Sequence, residues 1–187
     1  MVINADDFYG RETYEKMGQL LRNLEEDQAA MVAFPVDKTL SENGSVSRGV
    51  CTLSTEGELL DLKEHTKIYR KGKDIISEGE EGNLILKEDT VVSMNVWGFL
   101  PSVLPKLEEE LVDFLNQITD KEKEEFYLPE AVAFLINKNE LRVFVEKTKE
   151  TWYGVTYKED QSIIEEGILK LHELGQYSPL KEEKNRG

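Results

Sequence analysis

The chain is poor in the residues that staple small folds or bind transition metals. It has one cysteine, Cys51, so no internal disulfide can form. A reducing compartment fits that usage, and the expected location is cytoplasmic. The two histidines, His65 and His172, stand far apart in sequence and with one cysteine make no zinc constellation. No apolar run approaches the roughly 20 residues that cross a bilayer, which sets a membrane aside as partner. The N-terminus lacks the basic-then-apolar pattern of a secretion signal. Positive charge is scarce as well: 23 Lys and Arg stand against 38 Asp and Glu, a net charge of −15. Such a surface repels nucleic acid and anionic lipid. It leaves an anionic small substrate open, because a local cation or a bound metal can reverse the field.

What is present suffices for a core. With 187 residues, 39% hydrophobic and 33% charged, the chain reads as one soluble domain over residues 1–180. A polar tail follows over 181–187. The opening M-V-I-N-A-D-D-F-Y-G reads as a short buried strand, Val2 and Ile3, running into Asp6 and Asp7. Ligands of open α/β sheets sit just beyond such strand ends. An acidic pair there suits a divalent cation held against phosphate oxygens; equally, either carboxylate suits the cap of the helix that follows.

Apolar spacings of three and four predict that helix over 11–27. An apolar run predicts a buried strand over 28–36. A polar stretch with an Asn43-Gly44 turn leads to a strand over 48–54, a turn at Glu56-Gly57-Glu58, and a returning strand over 59–69. Residues 70–88 read as an exposed hairpin or excursion, and 90–99 as a second strongly apolar strand. Helices are predicted from Pro101 to Ile118, over 128–137 and over 159–174, with strands over 140–147 and 152–157. This order suggests a mixed α/β sheet with flanking helices and an antiparallel insert. With its first strand in the sheet centre, the chain is expected to expose an apolar edge able to pair with a missing N-terminal half or a second copy.

Four segments in series carry a resemblance: V-I-N-A-D-D-F-Y-G, S-E-N-G-S-V-S-R-G-V, S-M-N-V-W-G-F and W-Y-G-V-T-Y-K-E-D. Together they resemble the bacterial sugar-phosphate nucleotidyltransferases, the group of glucose-1-phosphate thymidylyl- and uridylyltransferases, over nearly the whole chain. The resemblance implies a nucleotide-diphospho-sugar transferase fold, GT-A-like and Rossmann-like. It implies attack of a sugar 1-phosphate on the α-phosphorus of a nucleoside triphosphate, with Mg2+ bridging the phosphates.

Carried over residue by residue, Asp6 is the magnesium-binding catalytic aspartate, with Asp7 beside it. Asp160 is the candidate second ligand, although its distance from Trp152 exceeds the family's. Gly49 matches a glycine whose backbone approaches the sugar, and Glu64 a glutamate that holds sugar hydroxyls. Lys67 stands in for a phosphate-binding lysine, two places beyond the pattern. Asn95 and Glu125 match positions facing the sugar. Plainer roles stand beside these. Glu64 and Glu125 suit solvated surface charges, and Asp160 suits a helix cap. Gly49 suits a bulge, and Asn95 a partner for a buried backbone group. Trp97 and Trp152 suit the core, and Cys51 an inert small hydrophobe.

The family's glycine-rich nucleotide loop has no counterpart, since no two glycines here lie one residue apart. The expectation is therefore the C-terminal, sugar-phosphate-binding part of a nucleotidyltransferase, inactive alone. A non-catalytic sugar-phosphate-binding or regulatory module is the alternative.

Overall fold

The computed structural model describes residues 1–79, 82–120 and 124–177; the tail expected over 181–187 lies outside them. The organising element is β1 (Gln28–Pro35), whose six inner residues are all buried. Its alternating side chains feed two cores. Ala30, Val32 and Phe34 pack on one face with Met17 of α1 (Arg11–Asn23). Ala29, Met31 and Ala33 pack on the other with Val132 and Leu135 of α3 (Leu128–Asn137). Helix α2 (Leu104–Gln117) joins that second layer through Leu107.

The expected antiparallel insert is present. Strands β2 (Val46–Leu53), β3 (Leu59–Lys71), β4 (Asp74–Gly79) and β5 (Gly82–Leu86) form an antiparallel run out to the sheet edge. Gly57, at φ 85°, makes the turn between β2 and β3, a conformation glycine adopts without a Cβ clash. The tip of that hairpin reaches β8 (Arg142–Lys147), where the Val145 N–H donates to the Gly57 carbonyl at 2.8 Å. Strand β8 runs parallel to β1, from Gln28↔Arg142 to Ala33↔Lys147. Eight strands thus form one mixed sheet among the described residues, with helices on both faces of β1.

Four expectations need correction. The N-terminal stretch is not a buried central strand. Val2 makes one isolated bridge to Trp97, and Met1, Val2 and Ile3 are all exposed. Two apolar residues are too few to displace the eight-residue β1 from the sheet centre. Among the described residues the expected open edge beside a central first strand therefore does not arise; β1 is flanked by β8 on one side and by two short strands within 91–99 on the other. The run 90–99 is not one strand but two, β6 (Val91–Ser93) and β7 (Trp97–Phe99). Phe34 faces Val92 while Met31 faces Trp97, so three steps along β1 match five along its partner. The surplus bulges out at Asn95, whose φ is 60°. The stretch 152–157 is likewise no strand; it contributes a single bridge, Tyr153↔Phe8.

One clasp ties the ends of the fold together. The Glu150 carboxylate accepts the Glu12 N–H at 2.9 Å, in the first turn of α1. In return, Glu12 accepts the Lys149 N–H at 2.9 Å and the Thr148 hydroxyl at 3.1 Å. These contacts hold the Glu12 carboxyl below its ordinary value, the Lys149 N–H foremost. Helix α1 has no side-chain cap of its own, so Glu150 supplies one from across the chain. Glu150→Ala is expected to cost about 1 kcal/mol, read as a lower urea midpoint with an unchanged slope.

Candidate functional site

A cleft of about 970 Å³ opens where the N-terminal stretch, β2, β3, the Asn95 bulge, α3 and the 152–155 segment meet. Asp6, Asp7, Gly49, Glu64 and Asn95 all line it, although 89 positions of sequence separate the first from the last. Strand β2 places Gly49 directly opposite Glu64 on β3 and Ser93 on β6. A Cβ on Gly49 would stand 3.0 Å from Leu62 Cδ2 and 3.6 Å from Glu64 Oε2. The glycine thus keeps the floor beside Glu64 low.

The floor carries a charge that the sequence reading passed over. Arg48 of β2 is 8% exposed. Its Nη1 donates to the Ser47 carbonyl at 2.7 Å and its Nη2 to the Thr39 carbonyl. Its guanidinium lies 4.8 Å over the Trp152 ring. Burial pushes it down to about 10, against the pull of Asp7 and Glu64, so it stays charged at neutral pH. Glu64 is held above its ordinary value by desolvation, with Arg48 opposing and Glu130 of α3 adding to the rise. Tyr127 and Glu130 form the α3 wall.

Asp7 is fixed by its neighbours. Its Oδ2 accepts the Tyr9 hydroxyl at 3.0 Å and the Asn4 amide at 2.9 Å. Tyr9 is fully buried, and burial pushes its phenol well up, so it remains a donor. Gly154 packs against both Asp7 and the Trp152 ring: a Cβ there would lie 2.6 Å from Asp7 Oδ1 and overlap the indole. Asp6 is exposed at the mouth.

Three predicted site residues fall outside this cleft. Asp160 is a structural hub: it accepts the Ser41 hydroxyl at 2.7 Å, the Asn43 amide at 2.8 Å and the Tyr157 N–H at 2.8 Å. Desolvation raises its carboxyl, but these bonds outweigh that and leave it below 3.8. It lines a separate cavity of about 230 Å³ on the far side of Trp152, at the start of α4 (Asp160–Glu173). Lys67 lies in a third hollow, paired with Glu78, whose other oxygen accepts the Tyr69 hydroxyl at 2.6 Å. Lys67 follows the irregularity of β3 between His65 and Ile68 and lines that hollow, not the cleft. Glu125 is exposed and engages Tyr127.

No group of three or more His, Cys, Asp or Glu is placed to hold a metal among the described residues, so Asp6, Asp7 and Asp160 do not form one. Asp6 and Asp7 are the neighbouring carboxylates of the cleft that could hold a Mg2+ ion, which commonly takes one or two carboxylates and substrate phosphates. Trp97 is core, fully buried and stacked on Phe99 with ring centroids 6.2 Å apart. Cys51 is half-buried, its thiol pushed up to about 12 by burial, which leaves little thiolate at neutral pH.

No protein-family model matches the chain, and no curated protein matches it by sequence. Among solved structures it is similar to the CTP:phosphocholine cytidylyltransferase from Streptococcus pneumoniae, with 14% identity and a TM-score of 0.45. The match covers 89% of this chain and 56% of that one, so the chain spans little more than half its length. Among the described residues no helix is long and apolar enough to cross a membrane.

Proposed function

We propose that the cleft binds the sugar 1-phosphate of a nucleotidyl-transfer reaction, in which a nucleoside triphosphate and the sugar phosphate give a nucleotide sugar and pyrophosphate. The observation that carries this reading is the convergence of Asp6, Asp7, Gly49, Glu64 and Asn95 on one cleft. These residues were singled out by motif, not by position. Carboxylates and an amide accept and donate to ring hydroxyls, and the low Gly49 backbone leaves room beside them. Magnesium, held by Asp6 and Asp7 with phosphate oxygens, would neutralise charge as the phosphates align. The chain contains no glycine-rich loop to cradle a triphosphate. On its own it therefore binds the sugar phosphate without turning it over, which is also what a non-catalytic sugar-phosphate module would do.

The test is equilibrium binding of a panel of sugar 1-phosphates in magnesium, alongside pyrophosphate release from labelled nucleoside triphosphates. The expected result is binding without pyrophosphate. Glu64→Ala is expected to weaken that binding about tenfold or more, the loss of a charge-assisted hydrogen bond. Failure of every sugar 1-phosphate to bind overturns the reading, and pyrophosphate release at an enzyme-like rate overturns the claim of inactivity.

A further inference from the structure

A sugar phosphate needs a cation for its phosphate, and the lysine that the motif offers is elsewhere. Lys67 faces another hollow and is already paired with Glu78. Among the described residues two cations line the cleft, the exposed Lys63 and the buried Arg48, and it is Arg48 that faces both Asp7 and Glu64. Two of its nitrogens are spent on the backbone, at Ser47 and Thr39. Its Nε is enclosed and, among the described residues, has no hydrogen-bond partner. The indole Nε1–H of Trp152, the ring stacked on that guanidinium, is enclosed and unpartnered in the same way. Two unmet donors in one contact are a cost the fold retains at this spot, since native proteins pair nearly all such groups. Both residues line the cleft.

We infer that Arg48 is the phosphate anchor of this cleft and that Trp152 is its cover. This rests on the sugar-phosphate reading above for the identity of the ligand. The oxygen it takes is that of a phosphomonoester, which accepts the charge-assisted bond from Nε once the indole gives way. Asp7 and Glu64 also face the guanidinium, so a bare anion competes with two carboxylates and binds weakly. A phosphate that brings magnesium to Asp6 and Asp7 binds better. The cover lies on the irregular stretch between β8 and α4, where the Trp152 N–H donates to the Lys38 carbonyl at 3.1 Å and Tyr153 bridges Phe8. The indole can turn about its side-chain torsions without breaking either backbone contact.

Fluorescence tests this directly, because the chain has two tryptophans and Trp97 is sealed in the core. The full chain is titrated, in magnesium, with inorganic phosphate, glucose 1-phosphate and glucose. Trp152→Phe supplies the Trp97 background. Both phosphates are expected to change the Trp152 signal, and glucose is expected to leave it unchanged. Arg48→Met is expected to weaken both phosphates about tenfold or more while leaving any glucose binding as it was. Arg48→Lys, which keeps the charge and loses the planar fork, falls between. If Arg48→Met does not fold, Arg48→Lys alone decides, with unchanged phosphate affinity overturning the anchor.

The anchor is also overturned if neither phosphate moves the Trp152 signal, or if a folded Arg48→Met binds them as the parent does. Arg48-dependent binding of inorganic phosphate without glucose 1-phosphate binding sinks the sugar reading and keeps the anchor. Sugar-phosphate binding lost in Glu64→Ala but intact in Arg48→Met does the reverse.

Discussion

Asp160→Ala is expected to lower the unfolding free energy by about 3 kcal/mol, for three hydrogen bonds to one enclosed carboxylate. In a chain of this size that is a fall in melting temperature of roughly 6–12 °C. The loss has two parts. The Tyr157 N–H at the start of α4 loses its acceptor, and residues 41–43 lose their tie to that helix. Ser41→Ala and Asn43→Ala are each expected to cost less, and the two will not add, because they share one acceptor.

The pH dependence has a definite sign. The folded carboxyl titrates below its ordinary 3.8. Its stabilisation is therefore complete above that value and is lost as the pH falls through the lower, folded one. In Asp160→Ala the stability curve should be flatter on the acid side. Were Asp160 instead a magnesium ligand, its replacement would leave stability in EDTA unchanged and weaken magnesium binding, and that outcome would defeat the present assignment.

The second large effect comes from a single methyl group. Gly154→Ala puts a Cβ where the Trp152 ring lies and 2.6 Å from Asp7 Oδ1. Its φ is not in the left-handed region, so the clash is with the packing and not with the backbone conformation. Overfilling of this kind costs about 1–3 kcal/mol. The more telling change is at the cleft, where indole and carboxylate must both move. Trp152 emission should shift without any ligand, and sugar 1-phosphate affinity should fall more than it does in Glu150→Ala, which loosens the fold at the α1 cap. Equal effects of the two variants would show that Gly154 matters for stability alone.

Much of the fold was legible because its periodicities are strong. The buried run of β1 and the apolar stripes of α1, α2 and α3 were read nearly to their ends. The break at Asn95 was not, because V-V-S-M-N-V-W-G-F is apolar on both sides of the asparagine. Nothing local in that pattern reports a change of backbone hand; only the pairing with β1 and β2 shows it. The N-terminal stretch misled for the opposite reason. Val2 and Ile3 have strand propensity, but two residues bury too little to compete with β1.

At the site, the motif residues Asp6, Asp7, Gly49, Glu64 and Asn95 meet in one cleft. Arg48 stayed hidden inside R-G-V. A lone arginine in a strand reads as a solvated charge, since arginine is seldom fully buried. Its alternation with Val46, buried on the other side of exposed Ser47, was the one available signal. Asp160 was drawn toward the metal by its place in the motif, whereas its three donors come from residues 41–43 and 157, which only the folded chain brings near.

The parallel pairing of β1 with β8 joins stretches more than a hundred residues apart, and the cleft needs residues 4–7 and 152–155 at once. Such long-range closure makes folding slow relative to helical proteins of equal size. A ribosome-bound chain that has emerged only as far as α3 therefore has β1, β2 and β3 but not the wall that covers Arg48. The cleft is completed last, after the ordered core, when residues 152–155 dock against it.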